Sequence, residues 1–121
     1  MTVLDGPAVE LAQSYKAMSG IKCPECLRDF AAAHPNQIFC SPVHKKAFQN
    51  RLIARGSALT PLAMAARITR GGSRGDTATG VRARQDTEKL IARWVAEDKE
   101  AGRMRMDQYI RLRISKGFTP S

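Results

Sequence analysis

The chain has 121 residues, 20 Lys and Arg against 11 Asp and Glu, and a formal charge of +9. That length allows one small domain, or a smaller nucleus with a helical extension, and aromatic residues at 6% supply little core area. No apolar run approaches the roughly eighteen residues of a membrane span, and Met1 to Gly6 carries neither a basic flank nor a long apolar stretch. No membrane span and no signal peptide are therefore expected, and the chain reads as cytoplasmic.

Asp5-Gly6-Pro7 has the composition of a helix start, with Pro7 in the first turn where a missing N–H costs nothing. Ala8, Leu11, Ala12, Tyr15 and Met18 then recur at three and four residues, and Ser19-Gly20 is a suitable end. Residues 1–20 are expected to form an amphipathic helix. Residues 21–44 lose helical periodicity. Short extended pieces near 28–30 and 37–39, joined by the turn His34-Pro35-Asn36, predict a hairpin. Ser41 as N-cap and Pro42 at the first helical position open a helix over 42–55, on which Phe48 and Leu52 form an apolar pair. Gly56 is its expected stop.

Thr60-Pro61 reads as the start of a further short helix within 57–70, carrying Leu62, Met64, Ala65, Ala66 and Ile68. Residues 71–80 are rich in Gly, Ser and Thr without apolar periodicity, which predicts a flexible linker. Residues 81–121 read as helical. Leu90, Ile91, Trp94 and Val95 form a first stripe, Gly102 marks a break, and Met106, Tyr109, Ile110 and Ile114 form a second stripe before Lys116-Gly117.

Cys23-Pro24-Glu25-Cys26 is a tight turn that aims two sulfurs at one point. After thirteen intervening residues comes Cys40, and after three more His44. In a helix beginning at Ser41 or Pro42, positions 40 and 44 fall on the same side. Two ligands from a turn and two from a helix start make the closed four-coordinate set that structural zinc prefers. A helix N-terminus also favours nearby thiolates. The three cysteines are an odd number, which fits poorly with a closed disulfide framework. A redox CxxC would be expected beside a βαβ pattern, and none occurs. The sole alternative ligand is His34, in the turn beside Pro35. The expected fold is mainly α with a small zinc-bound β-hairpin, and one structural Zn2+ is the expected cofactor.

The run Cys23-Pro24-Glu25-Cys26 … Phe39-Cys40-Ser41-Pro42-Val43-His44-Lys45-Lys46 resembles bacterial and phage zinc knuckles of the form CPxC … [FY]CSxxC followed by a basic helix. Short zinc-finger DNA gyrase inhibitors are of this type, and the eukaryotic MYND finger carries a similar element. The resemblance covers residues 21–52 and implies a treble-clef-like knuckle, in which a turn, a hairpin and a helix start share one metal. Here His44 stands where the pattern has a fourth cysteine. Residues 57–121 match no characterised member, so the resemblance implies zinc and fold rather than gyrase inhibition.

Charge locates the expected binding surface. Residues 1–22 are neutral, 23–56 carry +3, 57–85 carry +4 and 86–121 carry +2. A zinc ion with three thiolates and an imidazole adds no positive charge, so the excess belongs to side chains. Lys45, Lys46 and Arg51 and Arg55 ride on the helix after the knuckle, Gln49 and Asn50 add amides able to read base edges, and Arg67, Arg70 and Arg74 follow. On a helical wheel the two lysines point away from Arg51 and Arg55. Nucleic acid, DNA or RNA, is the expected partner, in a regulatory role. The other reading is a protein-binding adaptor or inhibitor, with Trp94 and Tyr109 as anchors. No enzyme is expected: both histidines and all cysteines are accounted for by the metal set or a turn, and no nucleotide-binding fingerprint occurs.

Overall fold

The computed structural model describes residues 21–117. The amphipathic helix expected over 1–20 lies outside them. The described elements are β1 (Ile21–Lys22), β2 (Asp29–Phe30), α1 (Pro42–Ile68), a 3₁₀ turn (Arg70–Gly72), α2 (Thr77–Glu100) and α3 (Met106–Ser115). The chain is mainly helical with one small antiparallel sheet. It divides into two compact units, residues 21–48 with 101–117 and residues 49–100.

In the first unit β1 pairs with β2, Ile21 opposite Phe30 and Lys22 opposite Asp29. The CPEC turn is the connection. Leu27 N–H donates to the Cys23 carbonyl at 2.8 Å, Cys23 N–H donates to the Arg28 carbonyl at 3.0 Å, and Leu27 takes φ +61° to close the reversal. The expected hairpin between 28–30 and 37–39 is therefore replaced by one built around the cysteine turn. The turn at His34 does form, with Gln37 N–H donating to the His34 carbonyl at 3.1 Å. Beyond it the Gln37 side chain takes the place of a ladder partner: its Oε1 accepts from Ala33 N–H and its Nε2 donates to the Phe39 carbonyl. These bonds satisfy the local backbone without a strand.

The core of this unit is aromatic. Phe39 and Phe48 meet with centroids 5.3 Å apart, and Phe48 meets Tyr109 at 4.7 Å, both pairs tilted as ring quadrupoles prefer. Ile38, Ala32 and Met104 are buried with them. The segment 101–117 is tied down by Met104 N–H donating to the Pro24 carbonyl and by Lys116 Nζ donating to the Pro35 carbonyl. Gly102, at φ +72°, makes the break that the sequence predicts before α3.

The second unit is a helical hairpin. The expected stop at Gly56 and restart at Thr60-Pro61 do not occur, and α1 is continuous through both. Gly56 lacks the positive φ of a helix-stop glycine. Pro61 costs the helix one hydrogen bond, yet α1 runs on through it to Ile68. The expected linker over 71–80 is likewise corrected. Residues 70–72 form a tight turn and α2 begins at Thr77. Its glycines serve close approach: a Cβ on Gly72 would lie 2.5 Å from Val81 Cγ2, and one on Gly80 would meet Thr69 Oγ1 and lie 2.7 Å from Gly72 N. Among the described residues, no helix is long and apolar enough to cross a membrane.

Candidate metal centre

Cys23 and Cys26 come from the turn between β1 and β2, Cys40 immediately precedes α1, and His44 is in its first turn. Ser41 caps that helix, its Oγ accepting from His44 N–H at 3.2 Å, and the Ser41 carbonyl accepts from Lys45 N–H at 3.0 Å. The cap thus fixes the turn that carries His44. Behind the ligands, Phe48 packs on Phe39 and holds α1 against the preceding segment.

The four side chains converge. Their candidate ligand atoms all lie within 4.8 Å of one another. Cys26 Sγ and Cys40 Sγ are 3.9 Å apart, and His44 Nδ1 is 3.3 Å from Cys40 Sγ and 3.9 Å from Cys23 Sγ. Tetrahedral zinc, with bonds of about 2.3 Å to sulfur and about 2.0 Å to nitrogen, needs ligand separations of about 3.5–3.8 Å. The donor set and its spacing fit one such ion. Cys23 is fully buried, and the other three are partly buried. His34 is exposed and is not among the clustered groups.

Electrostatics within the cluster favour a cation. Burial raises the Cys26 thiol, but hydrogen bonds from the Arg28 backbone and side chain, with Cys23 and His44, outweigh it and bring the pKa down to about 6. Cys40 moves the other way: burial pushes its thiol up, and the Cys23 and Cys26 sulfurs add to the rise. Sulfurs this close cannot all ionise against one another. A divalent ion among them removes that conflict, because thiolates are the binding form.

The basic residues are placed unequally. Lys45, Lys46, Gln49, Asn50, Arg67, Arg70 and Arg74 are exposed, and Arg51 is half-buried. Arg55 is corrected: it is buried in the hairpin, where Nη1 and Nη2 donate to the two Asp98 carboxylate oxygens at 3.0 and 2.9 Å. Glu97 accepts a longer bond at 3.4 Å, and the guanidinium lies 5.5 Å from the Trp94 ring centroid. It is an internal group rather than a surface cation. Tyr109, expected as an interface anchor, is buried against Phe48, and Trp94 is half-buried beneath Arg55. Sequence reasoning missed Asp98. Its spacing on α2 puts it in line with Trp94 and Gly80, but an acidic residue in a charged run carries no signal of burial until its arginine is known.

The chain matches no protein-family model, no curated protein and no solved structure.

Proposed function

We propose that this chain is a small nucleic-acid-binding protein of regulatory type, built on one structural zinc held by Cys23, Cys26, Cys40 and His44, with no catalytic centre. The observation that carries the zinc reading is the convergence of four protein ligands within 4.8 Å. Such a set fills every tetrahedral position, whereas a catalytic zinc keeps one open for water or substrate. The resemblance to CPxC … FCSxxC knuckles supports a treble-clef-like arrangement. Nucleic acid is supported by the charge of +9 together with the exposed Lys45, Lys46, Arg67, Arg70 and Arg74, beside the exposed amides of Gln49 and Asn50.

The test has two readouts. Elemental analysis of protein purified without added metal is expected to give one zinc per chain. Titration of a labelled DNA duplex and a labelled RNA strand is expected to show binding that weakens steeply as salt rises. Absence of binding to both at low salt, or binding indifferent to salt, would reject the nucleic-acid reading.

One observation favours the second reading, a protein-binding adaptor. Between Ile53 and Ala66 the only charged residue of α1 is the buried Arg55, while Ile53, Met64 and Ile68 are 69, 59 and 70% exposed. An uncharged apolar face on a strongly basic protein suits a protein partner. A salt-insensitive complex with one protein, lost in Ile53→Ser/Met64→Ser with helicity retained, would favour this reading over the first.

A further inference from the structure

Of the exposed basic side chains, one group is set apart by both its neighbours and its backbone. Arg67 lies in the last turn of α1, Arg70 and Arg74 lie in the turn that follows, and Arg82 and Arg84 lie on the first turns of α2. Arg84 crosses the turn, its Cδ 3.2 Å from where a Cβ on Gly71 would be. Arg82 and Arg84 are partly neutralised by Asp86 at 2.9 Å and Glu88 at 3.8 Å. Among the described residues, Arg67, Arg70 and Arg74 have no carboxylate partner. The one acidic residue between 67 and 85 is Asp76, and its Oδ1 accepts from Thr79 N–H as the cap of α2.

The turn is not a loose loop. Thr69 carbonyl accepts from Gly72 N–H at 3.1 Å and from Arg74 N–H at 2.8 Å, and Gly71, Gly72 and Gly75 supply the positive φ values. Arg70 itself takes φ +50°. Two arginines are therefore displayed from a defined backbone, which lowers the ordering cost of binding. The end of α1 and the start of α2 meet here, so their opposite dipole ends offset each other and the side chains set the sign of the local field.

We propose that this hairpin tip is a phosphate-backbone contact for nucleic acid, made by Arg67, Arg70 and Arg74 and indifferent to base sequence; it rests on the nucleic-acid reading above. Composition narrows base reading at the tip chiefly to guanine, whose edge an arginine fork matches, and the two duplexes below separate that contact from phosphate binding. Residues 67–84 contain no Asn, Gln, His or aromatic side chain. The tip thus lacks the amides that read adenine and the rings on which unpaired bases stack. What it offers is guanidinium forks, which match phosphate oxygens. Both DNA and RNA present the same phosphodiester.

The experiment compares full-length, zinc-loaded wild type with Arg67→Gln/Arg70→Gln/Arg74→Gln by fluorescence anisotropy. Each protein is titrated into two DNA duplexes of unrelated sequence and one single-stranded RNA across a salt series. Three phosphate contacts contribute a slope of about −2.7 in log K against log salt on duplex DNA and about −2.1 on a single strand. The triple variant is expected to lose that much slope on whichever polymer the wild type binds, equally for both duplexes. A variant with Lys in place of each arginine keeps the charge and is expected to keep the slope. Helicity and zinc content of the variants should match wild type; if the triple Gln variant misfolds, Arg70→Gln and Arg74→Gln are read singly, each expected to lose about 0.9 of slope on duplex DNA. Wild-type binding with an unchanged slope in the Gln variant, or a slope lost from the Lys variant, overturns the tip assignment and leaves the nucleic-acid reading standing. The same holds if Lys45→Gln/Lys46→Gln loses the slope instead. A wild type that binds neither polymer overturns both.

Discussion

His44 is where the candidate ligand set departs from cysteine, and its neighbourhood accounts for the position of the ring. Its backbone N–H is capped by Ser41, and its Nδ1 lies 3.3 Å from Cys40 Sγ, so the ring stands at the ligand position. His44→Cys places a sulfur on the same turn and is expected to retain one zinc per chain, whereas His44→Ala is expected to lose zinc or bind it far more weakly. Metal content with a competing chelator measures both. Arg55 shows the opposite kind of departure, a basic residue withdrawn from the surface. Its pair with Asp98 leaves the two side chains only 10 and 7% exposed. Removing one partner strands a buried charge, so Arg55→Ala is expected to cost about 3–5 kcal/mol in denaturant unfolding. Arg55→Met/Asp98→Leu removes both charges and is expected to cost much less. If the single and double variants lost the same stability, the pair would not be a desolvated ion pair at all.

At the scale of elements, the turn between α1 and α2 depends on glycines of two kinds. Gly80 sits where a Cβ would press on Thr69 Oγ1 and on the Gly72 backbone, which cannot move aside cheaply. Gly80→Ala is expected to lower stability by about 1–3 kcal/mol despite the better helix propensity of alanine. Gly56 faces open space in the same hairpin, and Gly56→Ala is expected to add about 0.5–1 kcal/mol. Paired thermal melts of the two variants test that contrast. The cap of α2 is pH-dependent in a definite direction. The Thr79 hydroxyl and then its N–H hold the Asp76 carboxyl below its ordinary value of 3.8. A lowered carboxyl pKa stabilises the fold above the unfolded value and loses that contribution as pH falls through the folded one. The first turn of α2 is therefore expected to fray below about pH 4, the usual carboxyl range, and Asp76→Asn to abolish that pH dependence. Cα chemical shifts of residues 77–80 across an acid titration would show it.

For the whole molecule, the two units rest on different foundations. Residues 21–48 with 101–117 combine the ligand cluster with the Phe39, Phe48 and Tyr109 stack, whereas residues 49–100 bury Arg55, Asp98, Thr69, Gly80 and Ala83 and no large aliphatic side chain. Metal removal is expected to raise hydrogen exchange first across residues 21–48 and 101–117, because binding energy at such a site is folding energy. Unchanged protection there after chelation would mean that the cluster does not support the fold. The candidate ligand set, the capped start of α1, the break at Gly102 and the helical character of residues 81–100 and 106–115 were legible in the sequence. Each follows from local spacing or from residue chemistry that acts within a few positions. What only the tertiary structure decided was every choice that depends on a distant partner. Gly56 and Pro61 carry helix-ending signals, yet α1 runs through both, with Arg55 paired to Asp98 of α2. The glycines of 71–75 read as flexibility until Val81 and Thr69 show what they make room for. Arg55 counted as surface charge until Asp98, forty-three positions away, drew it inside, and Tyr109 counted as an exposed anchor until Phe48 covered it. Local chemistry specified the candidate metal ligands; long-range burial decided which of the remaining side chains stayed exposed.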